Sequence, residues 1–205
     1  MKKTKNLIVT YTQIIPKSLC KKTIDFFDKN ASFESGIVNE KNDGQINKEI
    51  RNSKEMNLFF GNPKHALGQE LCDLIKPLIN DYFNEFNELF NTVGQTVYED
   101  AHLLRYEPNV GFYKFHYDTG GENIDGRLLS CIIYLNNVKK GGETEFKYIE
   151  SDPVAPKQGD VIIFPSGPEF THRGNIPKSG PKYICVFWLQ RKEAFEKMKT
   201  ASLNK

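Results

Sequence analysis

His116, Asp118 and His172 are residue types that together can hold a divalent metal. His116-Tyr117-Asp118 closes a predicted strand. Side chains at i and i+2 of a strand share a face, so the imidazole and the carboxylate converge on one point. Alone that pair carries little weight, because four His and ten Asp in 205 residues produce a His-x-Asp by chance in roughly one such sequence in five. His172, in PSGPEFTHRG, adds a third donor. Two neutral imidazoles and one carboxylate on one side of a metal leave three positions open, the facial arrangement that suits non-haem Fe(II). Zinc accepts the same ligands, so these residues leave the metal open.

Lys182 begins the strand KYICVFWL shortly after His172. By alternation Lys182, Ile184, Val186 and Trp188 share one face, and Tyr183, Cys185 and Phe187 share the other. A lysine on an apolar face is costly to bury without a partner. Either it snorkels to solvent from the strand mouth, or it pairs with the carboxylate of a bound anion.

The rest of the chain bounds what such chemistry serves. Its 205 residues are 39% hydrophobic and 26% charged, with 15 Phe, 9 Tyr and one Trp, which describes a soluble globular chain with room for one ordinary core. Lys+Arg at 28 against Asp+Glu at 26 gives +2, so no broad nucleic-acid-binding surface is expected. Cys20, Cys72, Cys131 and Cys185 lie far apart with no CxxC pair, and read as reduced, buried thiols of a cytoplasmic protein. The opening MKKTKNLIVTYTQIIPK starts like a signal peptide, but Thr10, Thr12 and Gln13 break its apolar stretch and no small-residue cleavage site follows. No run approaches the roughly 18 apolar residues of a membrane span.

The elements that must position these residues fall into two textures. Residues 7–15 read as a strand, and Ser18 as the N-cap of a helix over about 19–29 with Leu19, Thr23, Phe26 and Phe27 on one face. Residues 30–57 are polar and read as a long mobile connection with one short strand, a candidate lid. Leu67, Leu71, Leu74, Leu78, Tyr82, Phe86 and Leu89 mark an amphipathic helix over about 64–91, which Pro77 is expected to kink or split. From about 96 onward short β-rich runs alternate with turns: 96–106, 112–117, 128–135, 161–164 and 182–189. Many short strands with Gly, Pro and Asn turns predict a sandwich, barrel or jelly roll, with the helices packed outside one sheet and a charged tail over about 190–205.

In order, HYD (116–118), R-LLSCIIYL (127–135), GGETEF (141–146), P-KQGDVIIFP (156–165), His172 and G-PKYICVFW (180–188) resemble the prolyl 4-hydroxylase branch of the 2-oxoglutarate- and Fe(II)-dependent dioxygenases. Upstream, IIPKSLCKKTIDFF and IRNSKEMNLFF resemble that family's leading helix and its Arg-x-Ser segment. The resemblance implies an α+β, mainly β fold: a double-stranded β-helix (jelly roll) with supporting N-terminal helices. It implies one Fe(II)/2-oxoglutarate dioxygenase domain over residues 1–205, about 1–95 as helical support and lid and about 96–190 as β-helix core. His116, Asp118 and His172 would be the metal ligands, Lys182 the partner of the distal carboxylate of 2-oxoglutarate, and Tyr106 a hydrogen-bond donor to that cosubstrate. Tyr113, Arg127, Trp188 and Arg51 match the substrate side, with core packing the alternative for Tyr113 and Trp188.

The implied activity is O2-dependent hydroxylation of peptidyl proline coupled to conversion of 2-oxoglutarate to succinate, with ascorbate as a reductant. Its partner would be a proline-containing peptide or protein, without a membrane. The alternatives are the same chemistry on another side chain, a free amino acid or a small metabolite, or a non-catalytic metal-holding β-helix. Gly141, Gly142, Gly159 and Gly180 are assigned to turns. His65 and His102 match nothing and read as structural or solvent-facing.

Overall fold

Alternation along the later strands gives each a face to bury on either side, and the chain meets this with two antiparallel sheets and a layer of helices. The structure is a computed structural model that describes residues 1–30, 34–35, 48–59, 66–120 and 126–203. The larger sheet runs β1 (Lys2–Lys5), β2 (Ile8–Tyr11), β11 (Val161–Pro165), β9 (Arg127–Tyr134), β13 (Lys182–Arg191), β7 (Ala101–Tyr106), β5 (Lys54–Leu58) and β3 (Glu34–Ser35), with β6 (Thr96–Tyr98) also paired to β13. The smaller sheet runs β10 (Thr144–Phe146), β12 (His172–Gly174), β8 (Phe112–His116) and β4 (Arg51–Asn52).

The two faces of β13 divide the core as alternation predicts. Ile184, Val186 and Trp188 pack with Tyr106, Ile132, Tyr134, Ile162 and Phe164 of the larger sheet and with Phe146 of the smaller one. Tyr183, Cys185, Phe187 and Leu189 face the other way, against α1 (Lys17–Asn30) and α2 (Ala66–Glu85). This is the predicted double-stranded β-helix with its supporting helices. The four cysteines are buried and free, and burial pushes the thiols of Cys20 and Cys72 up to about 11. Among the described residues no helix is long and apolar enough to cross a membrane.

Several local expectations change. α2 runs unbroken through Pro77 instead of splitting there, and a short α3 (Asn87–Phe90) follows it. Proline removes one ladder hydrogen bond, at a cost of about 3 kcal/mol. Burial of Leu67, Leu71, Ile75, Ile79 and Tyr82 along one stripe offsets that cost. The buried stripe is therefore rotated from the predicted one: Ile75 and Ile79 lie deepest, Leu74, Leu78 and Phe86 are only partly covered, and Leu89 is exposed. Ser18 lies inside α1, one residue past its start, instead of capping it. β2 is shorter than the predicted strand over 7–15, and β1, β10 and β12 were not expected. The tail forms α4 (Lys192–Leu203). Of the expected mobile connection, 31–33 and 36–47 lie outside the described residues, and so does His65; residues 51–58 are strands β4 and β5 built into both sheets.

Two local devices fix the strands that carry the metal-type ligands. β12 and β8 slip in register: His172 faces His116 while Gly174 faces Tyr113, so β8 takes three residues where β12 takes two. Gly141 holds φ of 74°, and a Cβ there would come within 2.2 Å of the Ile176 carbonyl, which already accepts the Gly142 N–H. That contact ties the turn before β10 to the end of β12. Gly141→Ala should therefore destabilise the fold by about 2–3 kcal/mol through backbone strain and the clash, read as a lower urea midpoint.

Candidate metal centre

β8 ends at His116, and the chain leaving it carries Asp118 two residues later; β12 brings His172 in from the neighbouring strand. One ligand atom from each lies within 4.8 Å of the others. His116 Nε2 is 3.5 Å from Asp118 Oδ1 and His172 Nε2 is 3.8 Å from Oδ2. Both imidazoles donate from Nδ1 to a backbone carbonyl two residues earlier, His116 to Lys114 at 2.8 Å and His172 to Phe170 at 3.0 Å. Those bonds fix the tautomer and leave each Nε2 lone pair aimed at the carboxylate, the presentation a metal requires.

The electrostatics agree. Burial pushes His172 down to about 4, with the His116 charge adding to the effect and Asp118 opposing it, so its imidazole is neutral at ordinary pH. Burial works against ionisation of Asp118, yet the imidazoles of His172 and His116 and the Ser130 hydroxyl hold its carboxyl far below the usual range. Ser130 donates to Asp118 Oδ2 at 2.6 Å and lies 2.9 Å from Ser166 Oγ, while the Asp118 and Thr119 N–H groups donate to the Ser166 carbonyl. Two imidazole nitrogens and one carboxylate oxygen on one side are a donor set that fits Fe(II).

Lys182 lies on the inner face opposite Tyr106 in the β13–β7 register, with Nζ 5.6 Å from the ring centres of Tyr106 and Tyr134. It is 2% exposed, so it does not snorkel to solvent. Burial pulls its amine down to about 8, with only the Glu143 charge opposing. No salt bridge to it is formed among the described residues. The Tyr134 hydroxyl donates to Thr144 Oγ1 at 2.7 Å, lining the same interior.

The other sequence-assigned residues form two walls beside the triad. Tyr113 stacks on His116 with ring centres 3.5 Å apart, and the Arg51 guanidinium lies 4.9 Å over Tyr113. On the opposite wall Arg127 grips Glu99 with two bonds of 2.7 and 2.6 Å, donates to the Asp118 carbonyl at 3.1 Å and covers Trp188 at 3.8 Å. Tyr113 and Trp188 thus pack against charged groups at the site, not only against the core. Sequence reasoning missed Ser130, Ser166, Glu99, Glu55 and Gln190. Ser130 left one trace, a lone hydroxyl inside LLSCIIYL. The buried Trp188 Nε1 and Gln190 Nε2 find no hydrogen-bond partner among the described residues.

Removing a partner that orients a metal-ligating carboxylate typically lowers metal affinity about 10- to 100-fold. Ser130→Ala should show that loss in a titration with Fe(II), or with Mn(II) as its redox-inert stand-in.

Residues 101–190 match the 2OG-Fe(II) oxygenase superfamily. A protein of Acanthamoeba polyphaga mimivirus named as a prolyl 4-hydroxylase is 28% identical over 168 residues, covering 71% of this chain and 61% of that one. The chain thus spans less than two thirds of that relative's length. Among solved structures, the viral collagen prolyl hydroxylase of Paramecium Bursaria Chlorella virus-1, in its 2OG complex, is similar with a TM-score of 0.65 at 22% identity over 90% of this chain and 96% of that one. A prolyl hydroxylase from Trichoplax adhaerens, in complex with a hypoxia inducible factor peptide fragment, reaches 0.74 at 16% identity over 94% and 87%. At these identities the structural likenesses speak for the fold, and the sequence match speaks for descent. Residues 101–190 are thus similar to the 2OG-Fe(II) oxygenase superfamily, and the relatives that the chain resembles over most of its length are named as prolyl 4-hydroxylases.

Proposed function

We propose that the chain is a 2-oxoglutarate- and Fe(II)-dependent dioxygenase that hydroxylates peptidyl proline. The observation that carries this reading is Lys182: a cation 2% exposed, with no salt bridge among the described residues, inside the same β-helix as a two-histidine, one-carboxylate cluster. A buried cation of this kind is destabilising until an anion reaches it. His116, Asp118 and His172 hold the iron, with Ser130 and the two backbone carbonyls fixing how they present their lone pairs. Lys182 binds the distal carboxylate of 2-oxoglutarate by a charge-assisted bond, and the Tyr106 hydroxyl lies across the sheet to share that contact. Iron bound there supplies the oxidation, in which 2-oxoglutarate is split to succinate and CO2 and one oxygen atom of O2 enters the substrate C–H bond.

Arg51, Tyr113, Arg127 and Trp188 form the walls that orient the substrate beside the triad. Among the described residues the Trp188 and Gln190 N–H groups have no hydrogen-bond partner, and on that side they suit the carbonyls of an extended peptide. Two structural neighbours, a collagen prolyl hydroxylase and a prolyl hydroxylase in complex with a peptide fragment, support a peptide over a small metabolite. The buried free thiols support a reducing, cytoplasmic compartment, and ascorbate is the reductant we assign.

With Fe(II), 2-oxoglutarate and a synthetic proline-rich peptide, succinate should form in step with the gain of one oxygen atom by the peptide, read by mass spectrometry. Turnover of free proline with none of any peptide would overturn the peptide assignment. Lys182→Ala should weaken 2-oxoglutarate about 10- to 100-fold, as loss of a charged hydrogen bond predicts, with Fe(II) affinity little changed.

The same interaction sets a pH dependence. The amine must be charged to bind a carboxylate, and in the unliganded protein it loses its proton near 8. The affinity for 2-oxoglutarate should thus be flat below that pH and fall as pH rises through it, approaching about tenfold per unit, read by calorimetry. An affinity unchanged between pH 7 and 10 would contradict the assignment.

A further inference from the structure

The sequence reads His102 as structural or solvent-facing, and it stands where the two walls of the site meet. Its Nδ1 lies 2.7 Å from Glu55 Oε1, and Glu55 Oε2 accepts Arg51 Nη2 at 3.0 Å, so the carboxylate divides its oxygens between an imidazole and a guanidinium. Arg51 is held again by Ser53 Oγ at 3.0 Å and lies over Tyr113, which stacks on His116. The far side of the same imidazole meets Trp188 edge-on, with ring centres 4.9 Å apart at 78°. Trp188 in turn carries Arg127, which donates to the Asp118 carbonyl. One imidazole on β7 therefore joins β5 and β4 on one side to β13 and β9 on the other.

We propose that His102 is a positioning residue that fixes the Arg51–Tyr113 wall through Glu55 and the Trp188–Arg127 wall through its ring, setting the width of the mouth over the metal ligands. As to substrate, this rests on the peptide reading above. Each link is made of groups too buried to be left idle. Glu55 is 16% exposed and Arg51 9%, and a buried carboxylate with one oxygen released must either move or rebind. Burial would raise the Glu55 carboxyl, but the His102 bond and the Arg51 charge outweigh it and hold it below the usual range. His102 itself is 23% exposed, at the rim rather than in the deep core, so its loss opens the walls without emptying a core site.

Two arms test this on the full chain. In the first, loaded with Fe(II), 2-oxoglutarate and a synthetic polyproline peptide, His102→Ala should raise the peptide KM about tenfold while kcat changes by less than about threefold. His102→Asn keeps a donor near the Nδ1 position and should recover part of that loss through the Glu55–Arg51 wall. Unchanged KM in His102→Ala, or an Asn variant no better than Ala, would overturn the proposal. The second arm needs neither metal nor turnover. Trp188 is the chain's one tryptophan, so its fluorescence reports on this joint alone. Glu55→Gln and Arg51→Ala should each shift Trp188 emission, and neither should do so once His102 is Ala, because coupled residues are non-additive. No shift, or the same shift in the His102→Ala background, would overturn the relay. If the wild type turns over no peptide, the substrate reading fails and the fluorescence arm alone decides the proposal.

Discussion

Burial of one cation organises the site. Lys182 is the first residue of β13, the strand at the centre of the larger sheet, with β9 on one side and β7 on the other. A charged amine there is costly, as the fall of its pKa to about 8 records. The surrounding interior of Ile184, Val186, Tyr106 and Tyr134 imposes that cost and makes the amine a strong attractor for an anion. Strand order then does the rest. β13 carries Lys182 at one end and Trp188 and Gln190 towards the other, so a single extended strand reaches both the proposed cosubstrate side and the proposed substrate side.

The metal-type cluster depends on a different balance. His172 is neutral because it is buried, and Asp118 is ionised despite burial because two imidazoles and Ser130 face it. His172 and Asp118 therefore already stand in the protonation state a metal needs. The walls around it are built from paired charges: Arg127 with Glu99, and Arg51 with Glu55 and His102. Such pairs, partly buried, constrain direction more than they add stability.

What the sequence disclosed follows from range. Alternation along KYICVFWL separated the inner from the outer face of β13 because period two is a property of the strand itself. The His-x-Asp pair was legible for the same reason. The stripe of α2 was misread because leucines at spacings of three and four mark two adjacent stripes, and only packing on the sheet chose the one through Ile75 and Ile79. Strands β1, β10 and β12 carry KKTK, TEF and HRG, which have no apolar pattern; their pairing comes from partners already in place. Glu99 is 28 residues from Arg127, Ser166 is 36 from Ser130 and Glu55 is 47 from His102. No local signal spans those intervals, so the supporting contacts became visible only with the fold.

We propose that the desolvated amine of Lys182 is reserved for the carboxylate of 2-oxoglutarate. Its ionisation can be followed directly by NMR of the lysine side chain across a pH series, with and without 2-oxoglutarate. A midpoint near 8 is expected in the free protein, displaced upward once 2-oxoglutarate and a redox-inert divalent metal are bound. A free-protein midpoint near the ordinary value of 10.5, or one that 2-oxoglutarate leaves in place, would contradict it.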